Sequence, residues 1–236
     1  MPELIDDPKQ PYEDLRQSMI DVQRANRYLG GTSVIKHQAV SWLRAAAVKR
    51  KETAEPVSFL DVATGSGDLP LAVLAAAARE KVPVNIIGLD FSGPILRFAS
   101  EPEQVGRQQA IRLVRGDAFE LPFADASVDY VVCSLAFHHF GQDGSTAVLR
   151  EMERVSRRGW LVNDLRRAWS AWYLFRIVSF IARMNRMTRH DGPASVLRAY
   201  SVAEYHSMPQ SLGLKPGTDY TLKRSLWYRV SMVRNK

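Results

Sequence analysis

Three acids, a glycine pair and two adjacent imidazoles are the residues of this chain whose types and spacing suit chemistry. Gly65 and Gly67 follow the apolar run 57–62, and residues 69–78 continue as a helix former. Glycines at such a turn let the backbone bend sharply and approach a ligand without Cβ contacts. The free N–H groups at the start of the following helix favour a carboxylate or phosphate. Asp90 closes a second apolar run, 84–89, roughly twenty residues after the glycines, which suits a carboxylate gripping ribose hydroxyls. Asp117 follows a third run, 111–114, and His138 and His139 follow a fourth, 128–135. A lone glycine pair equally fits an ordinary strand-to-helix turn. The series of small or acidic residues at successive strand ends is far more specific, and it reads as a nucleotide-type cofactor site.

These groups need a frame that alternates strand and helix. Continuous apolar runs read as buried parallel strands, and open α/β sheets bind ligands at the carboxyl ends of their strands. Crossover helices are expected at 69–78, 94–100 and 144–157, and a fifth strand at 160–165. Residues 219–222 and 226–233 read as a terminal β-hairpin. Upstream, residues 1–12 are polar and carry three prolines, which suggests a loose arm. A helix begins at Tyr12, with Leu15, Met19, Ile20 and Val22 near helical spacing, and ends by Gly30-Gly31. Thr32 or Ser33 is placed to cap a second helix running to about Lys51. After the fifth strand comes an aromatic-rich apolar segment, 169–184, then a polar turn at 188–193. Ser201 and Glu204 have the spacing of a capping box.

Taken together, these motifs make the chain resemble a class I S-adenosylmethionine-dependent methyltransferase across about residues 55–165. The stretch Asp61-Val62-Ala63-Thr64-Gly65-Ser66-Gly67-Asp68 is most similar to the first motif of ubiquinone/menaquinone-type methyltransferases. The segments 88–92 and 116–123 match later motifs of that group. A dinucleotide-binding dehydrogenase fits less well, because it wants a small residue where Pro70 stands and has no use for Asp61. The resemblance implies an α/β, Rossmann-like, seven-stranded, mostly parallel sheet with an antiparallel terminal strand. It also implies N-terminal lid helices (1–52) and a domain at 53–236 with a helical cap at 166–200. S-adenosylmethionine is the implied cofactor. Asp61, Ala63, Gly65 and Gly67 would lie along its methionine part, Asp90 at the ribose, Phe91 against the adenine, and Asp117 and Ala118 at the adenine edge. Ser134 and Leu135 would flank the donor. His138 and His139 are the candidate acid–base groups, since a neutral imidazole near pH 7 can take a phenolic proton. The pair equally fits a role in shaping the pocket floor. Quinone-type enzymes carry a different pair at that place, which favours oxygen over carbon as the methylated atom.

Acceptor contacts are expected from Asn26 and Tyr28 in the lid, and from Trp172, His190, Arg198 and Tyr200 in the cap. The expected acceptor is a small, largely apolar or aromatic molecule in secondary metabolism. The alternatives are quinone-type C-methylation, a non-catalytic scaffold, and, last, an RNA methyltransferase. The last rests only on the net charge of +7, carried by scattered arginines without an RNA-binding module. No nucleic-acid partner is therefore expected, and the protein should act as a monomer or homodimer. Arg176 and Arg183 argue against a transmembrane helix at 169–184, leaving peripheral membrane contact as an alternative. The one cysteine, Cys133, excludes an internal disulfide, and with no secretory pattern at the N-terminus a cytoplasmic setting is expected. No Cys/His or carboxylate group has metal-ligand spacing, so no metal is expected.

Overall fold

The apolar runs fold as β1 (Val57–Val62), β2 (Val84–Asp90), β3 (Ile111–Arg115), β4 (Val128–Ser134), β5 (Ser156–Leu165), β6 (Tyr220–Ser225) and β7 (Arg229–Asn235). The computed structural model describes residues 3–7, 9–28, 30–49, 55–101, 111–225 and 227–236. The boundary expected near residue 52, and the expected end of the second helix, lie outside them. The strands form one sheet in the order β3-β2-β1-β4-β5-β7-β6. Pairing is parallel except where β7 runs antiparallel to both β5 and β6. This is the Rossmann-like sheet expected from the strand pattern. Its order reverses between β1 and β4, where the connecting chains leave to opposite sides and open a crevice.

Alternation along β1 divides the core. Phe59 faces α2 (Gly31–Lys49) and α3 (Asp68–Glu80), where Trp42 stacks on Tyr130 with ring centroids 4.3 Å apart. Leu60 and Val62 face α5 (Phe137–Val155) and α8 (Val202–Ser211), among Trp160, Leu149 and Met208. Two side chains of opposite orientation on one strand thus hold helices on both faces. The capping box at Ser201 and Glu204 forms as the spacing suggested.

The remaining helices are α1 (Tyr12–Tyr28), α4 (Gly93–Ala99), α6 (Trp169–Ile181) and α7 (Arg186–Arg198). Three expectations are corrected here. Residues 188–193 are not a turn but lie inside α7, which Asn185 caps through Met187 N–H at 2.8 Å. Two of their polar groups point inward: Asp191 accepts from the N–H groups of Leu4 and Ile5, and Thr188 donates to Asp21. For the same reason the first residues are not a loose arm. Leu4–Asp6 form a 3-10 turn and Glu3 is buried. Finally, β5 begins at Ser156 rather than at 160, so Gly159 sits within the strand. A Cβ there would collide with the Arg234 carbonyl of β7.

Gly192 is a close-approach glycine of the cap, because a Cβ on it would collide with the Phe175 ring. Gly192→Ala should therefore destabilise the protein by about 1–3 kcal/mol by overpacking, read as a lower melting temperature, and displace Phe175.

Candidate active site

The carboxyl ends of β1, β2 and β4 open onto a cavity of about 970 Å³. At the end of β1, Ala63 takes φ +55° and Gly65 φ +57°, and Leu135 takes φ +55° at the end of β4. Two non-glycine residues in the left-handed region flank one crevice, and strain of this kind gathers at sites where the backbone must present itself. A Cβ placed on Gly65 would meet nothing within 4 Å, so the turn stands open to the cavity. Gly67, at φ +73°, caps α3 and does not line the cavity.

Asp90 ties this turn to β2. Its Oδ2 accepts from Gly65 N–H at 2.9 Å and its Oδ1 from Ser92 N–H at 3.0 Å. Burial raises its pKa, partly offset by those N–H donors. Phe91 lines the rim with its ring 69% exposed, an uncovered apolar face. Asp117 and Ala118 also line the cavity, Asp117 accepting from Phe119 N–H at 2.9 Å. Ser134 and Leu135 complete the sheet-end wall.

Asp61 lies just behind this wall. Its Oδ2 accepts from Thr64 Oγ1 at 2.7 Å, and its Oδ1 is buried with no partner among the described residues. Burial, with the charges of Asp68 and Asp90, pushes its carboxyl up to about 8, although the Thr64 hydrogen bond pulls the other way. A second orphan faces the same cavity. Arg229 at the start of β7 is 3% exposed; its Nη2 donates to Asn26 Oδ1 at 3.3 Å, and its Nε and Nη1 have no partner among the described residues. Burial lowers its pKa, while Asp164 and Asp68 hold its charge. Asn26 also donates to Asp68 Oδ2 at 3.2 Å.

An unmet carboxylate oxygen and an unmet guanidinium each carry a desolvation cost, and an amino acid brings the complement of both. The site thus fits S-adenosylmethionine: Asp61 for its ammonium, Arg229 and the helix start for its carboxylate, Asp90 for ribose hydroxyls, Phe91 for a flat base. Arg229→Gln should weaken its binding about tenfold or more in a calorimetric titration. A pH effect also follows. A carboxyl with a raised native pKa stabilises fully below its unfolded value near 4 and loses that contribution as pH climbs to about 8. The melting temperature of the ligand-free protein should fall across that window, and donor affinity should rise, because the ammonium needs Asp61 ionised.

His138 is buried at the start of α5. Its N–H donates to Asp164 Oδ2 at 3.2 Å, and its Nδ1 lies 2.7 Å from Asp164 Oδ1. Burial would raise the Asp164 carboxyl, but His138 and two N–H donors hold it below the usual range. An ionised Asp164 keeps the proton on Nδ1 and leaves Nε2 as an acceptor. His139 sits with Nδ1 3.2 Å from Asp6 Oδ1 and Nε2 3.6 Å from Glu3 Oε2. Burial alone would lower its pKa, but Asp6 and Glu3 raise it, which suits a charged anchor better than a base. Glu3, His138 and His139 offer ligand atoms within 4.8 Å of one another. Glu3, distant in sequence, joins the imidazole pair only in space, where spacing along the chain gives no such group. Arg198 lies 3.3 Å from Glu3 and already supplies a cation there.

The cap wall comes from Leu174, Phe175 and Val178 of α6. Of the expected acceptor contacts, only Asn26 reaches the cavity. Tyr28 is 74% exposed at the end of α1. Trp172 lies off the lining, under the Arg176 guanidinium 5.0 Å from its ring. His190 pairs with Asp191 at 2.8 Å. Arg198 clamps Glu3, Asp6 and the His139 carbonyl. The Tyr200 hydroxyl bonds inside the core to Phe137 O and Ser145. Residue type pointed to these five, and the structure places none of them on the lining of this cavity.

Comparison with known proteins follows this geometry. Residues 59–159 match the methyltransferase domain family. A stretch of 119 residues is 40% identical to the demethylmenaquinone methyltransferase of Deinococcus radiodurans, covering 50% of this chain and 46% of that protein. The Bacillus velezensis protein of the same name is 32% identical over 149 residues, 63% of this chain and 62% of that one. In both, the match spans less than two thirds of the relative's length. Among solved structures, magnesium protoporphyrin IX methyltransferase from Synechocystis superposes with a TM-score of 0.57 at 13% identity, over 88% of this chain and 84% of that one. A SAM-dependent methyltransferase from Aquifex aeolicus gives 0.55 at 14% identity, over 80% and 88%. The two superpositions show a shared fold. With the family match over residues 59–159 and the strand-end motifs, they show that the chain has the α/β Rossmann-like fold of class I S-adenosylmethionine-dependent methyltransferases.

Proposed function

We propose that the protein transfers the methyl group of S-adenosylmethionine to an apolar, ring-bearing acceptor whose hydroxyl is first deprotonated. The observation that carries this reading is the His138 ring on the cavity wall, held from behind by the buried Asp164. The donor supplies an activated methyl group, so the protein's task is to align the acceptor, exclude water and remove a proton. Asp164 fixes the His138 tautomer, and Nε2 takes the phenolic proton before the new bond forms. The apolar wall of Met19, Val22, Leu174, Phe175 and Val178 would hold the ring and keep water away.

A phenolate accepts methyl at oxygen or at an adjacent ring carbon. Oxygen is the outcome suggested by the histidine pair. The relatives named demethylmenaquinone methyltransferase favour the second, a hydroquinone methylated at carbon. Incubation with methyl-labelled donor and matched phenols and hydroquinones, with the label then located on oxygen or on ring carbon, decides between them. The label should appear in an acceptor bearing a free hydroxyl and not in its O-blocked analogue. Equal labelling of the blocked analogue would remove His138 from the mechanism, and no labelling of any acceptor would leave a donor-binding scaffold.

A further inference from the structure

Helix α6 is apolar on two faces at once. Its inner residues, among them Leu174, Phe175 and Val178, line the cavity. On the outside, Trp169, Tyr173, Ile177, Phe180 and Ile181 recur at helical spacing and are 70%, 61%, 57%, 67% and 73% exposed. A second apolar stripe facing water marks an interaction surface.

The charge around the stripe indicates what it meets. Arg176, Arg183, Arg186 and Arg189 are exposed beside it, and among the described residues none of them forms an ion pair. Residues 169–190 contain no acid, and Asp191 of α7 is buried against Leu4 and Ile5. Three of these arginines, with Ile177 and Phe180, frame a surface hollow of about 620 Å³. A second copy seated on the same stripe by a twofold axis would set guanidinium against guanidinium. A surface of anionic headgroups over acyl chains answers both the charge and the apolar stripe.

We propose that the outer face of α6, with the arginines around it, docks this protein onto anionic membrane surfaces. The aromatic and aliphatic side chains enter the boundary between headgroups and acyl chains, and the arginines meet lipid phosphates. No described helix is long and apolar enough to cross a membrane, so the contact lies in the interface plane. The inference goes beyond the methyl-transfer reading and fails separately from it. Because the other face of α6 lines the cavity, docking sets a lipophilic acceptor's source beside the cavity wall.

The test is flotation of the full chain with vesicles of phosphatidylcholine alone, or mixed with phosphatidylglycerol. Wild type should bind the mixed vesicles about tenfold better or more at low salt, and lose the difference at high salt. The double variants Ile177→Glu/Phe180→Glu and Arg186→Glu/Arg189→Glu should each lose about tenfold or more. All of these positions are exposed, and an unchanged S-adenosylmethionine titration reports an intact fold. The proposal is overturned by wild type that floats with neither vesicle or equally with both, or by variants that bind like wild type. Light scattering supplies one more contrary outcome: a dimer that Ile177→Glu/Phe180→Glu splits, with no vesicle binding, would assign the face to a second copy. Methyl transfer to a water-dispersed acceptor should be unaffected in every variant.

Discussion

Asp90→Ala is expected to lower the affinity for S-adenosylmethionine about a hundredfold or more. The carboxylate already accepts N–H groups from Gly65 and Ser92, and each oxygen retains a lone pair for a ribose hydroxyl. Hydrogen bonds to a charged acceptor are worth about 1.5–3 kcal/mol each, and about 2.7 kcal/mol is a hundredfold in affinity. The alanine removes the ribose acceptors and frees the glycine turn together. Asp90→Asn keeps an acceptor on one oxygen, so it should fall between wild type and alanine in calorimetric titration. Equal affinities for all three proteins would place the nucleoside somewhere other than the end of β2.

The second large effect belongs to His138. His138→Ala should reduce kcat by about 10²–10⁴, the usual worth of a positioned base, with donor affinity unchanged. Asp164→Asn should lose part of the same factor, since the amide no longer holds the proton on Nδ1. His139→Gln should affect mainly stability, because its ring anchors Asp6 and Glu3. If His139→Gln instead cost the larger factor in kcat, the two imidazoles would have to exchange roles.

The sheet and the donor end of the site were legible because their signals are local. Each apolar run carries its own strand, and an acid or glycine at its end lies at the sheet's carboxyl edge with no further folding information required. Asp164 stands at the end of β5 by the same rule yet is not among the expected site residues, and its partnership with His138 appears only once β4 and β5 pair. The cap was harder, since helical spacing predicts a helix but not its phase when both faces are apolar. Trp172 and Phe175 are three positions apart on α6, and the cavity takes Phe175.

Arg229 and Glu3 carried no sequence signal. They arrive from opposite ends of the chain and gain meaning only from burial: one with two unmet N–H donors, the other beside an imidazole pair. An arginine in a terminal hairpin reads as surface charge. Here the first turn of α2 opens at Gly31, where a Cβ would lie 2.9 Å from the guanidinium carbon, and the side chain turns inward. The polar segment 188–193 misled for a related reason. Its hydrogen-bonding groups serve α1 and the N-terminal turn, not water.

The most direct measurement is calorimetric titration of S-adenosylmethionine into the wild-type chain. One site per chain at roughly micromolar affinity, about −8 kcal/mol, with a proton released at neutral pH as Asp61 ionises, is the expected result. No binding heat, and no rise in melting temperature at millimolar donor, would contradict the assignment of this cavity and return Asp61 and Arg229 to the status of unexplained buried polar groups.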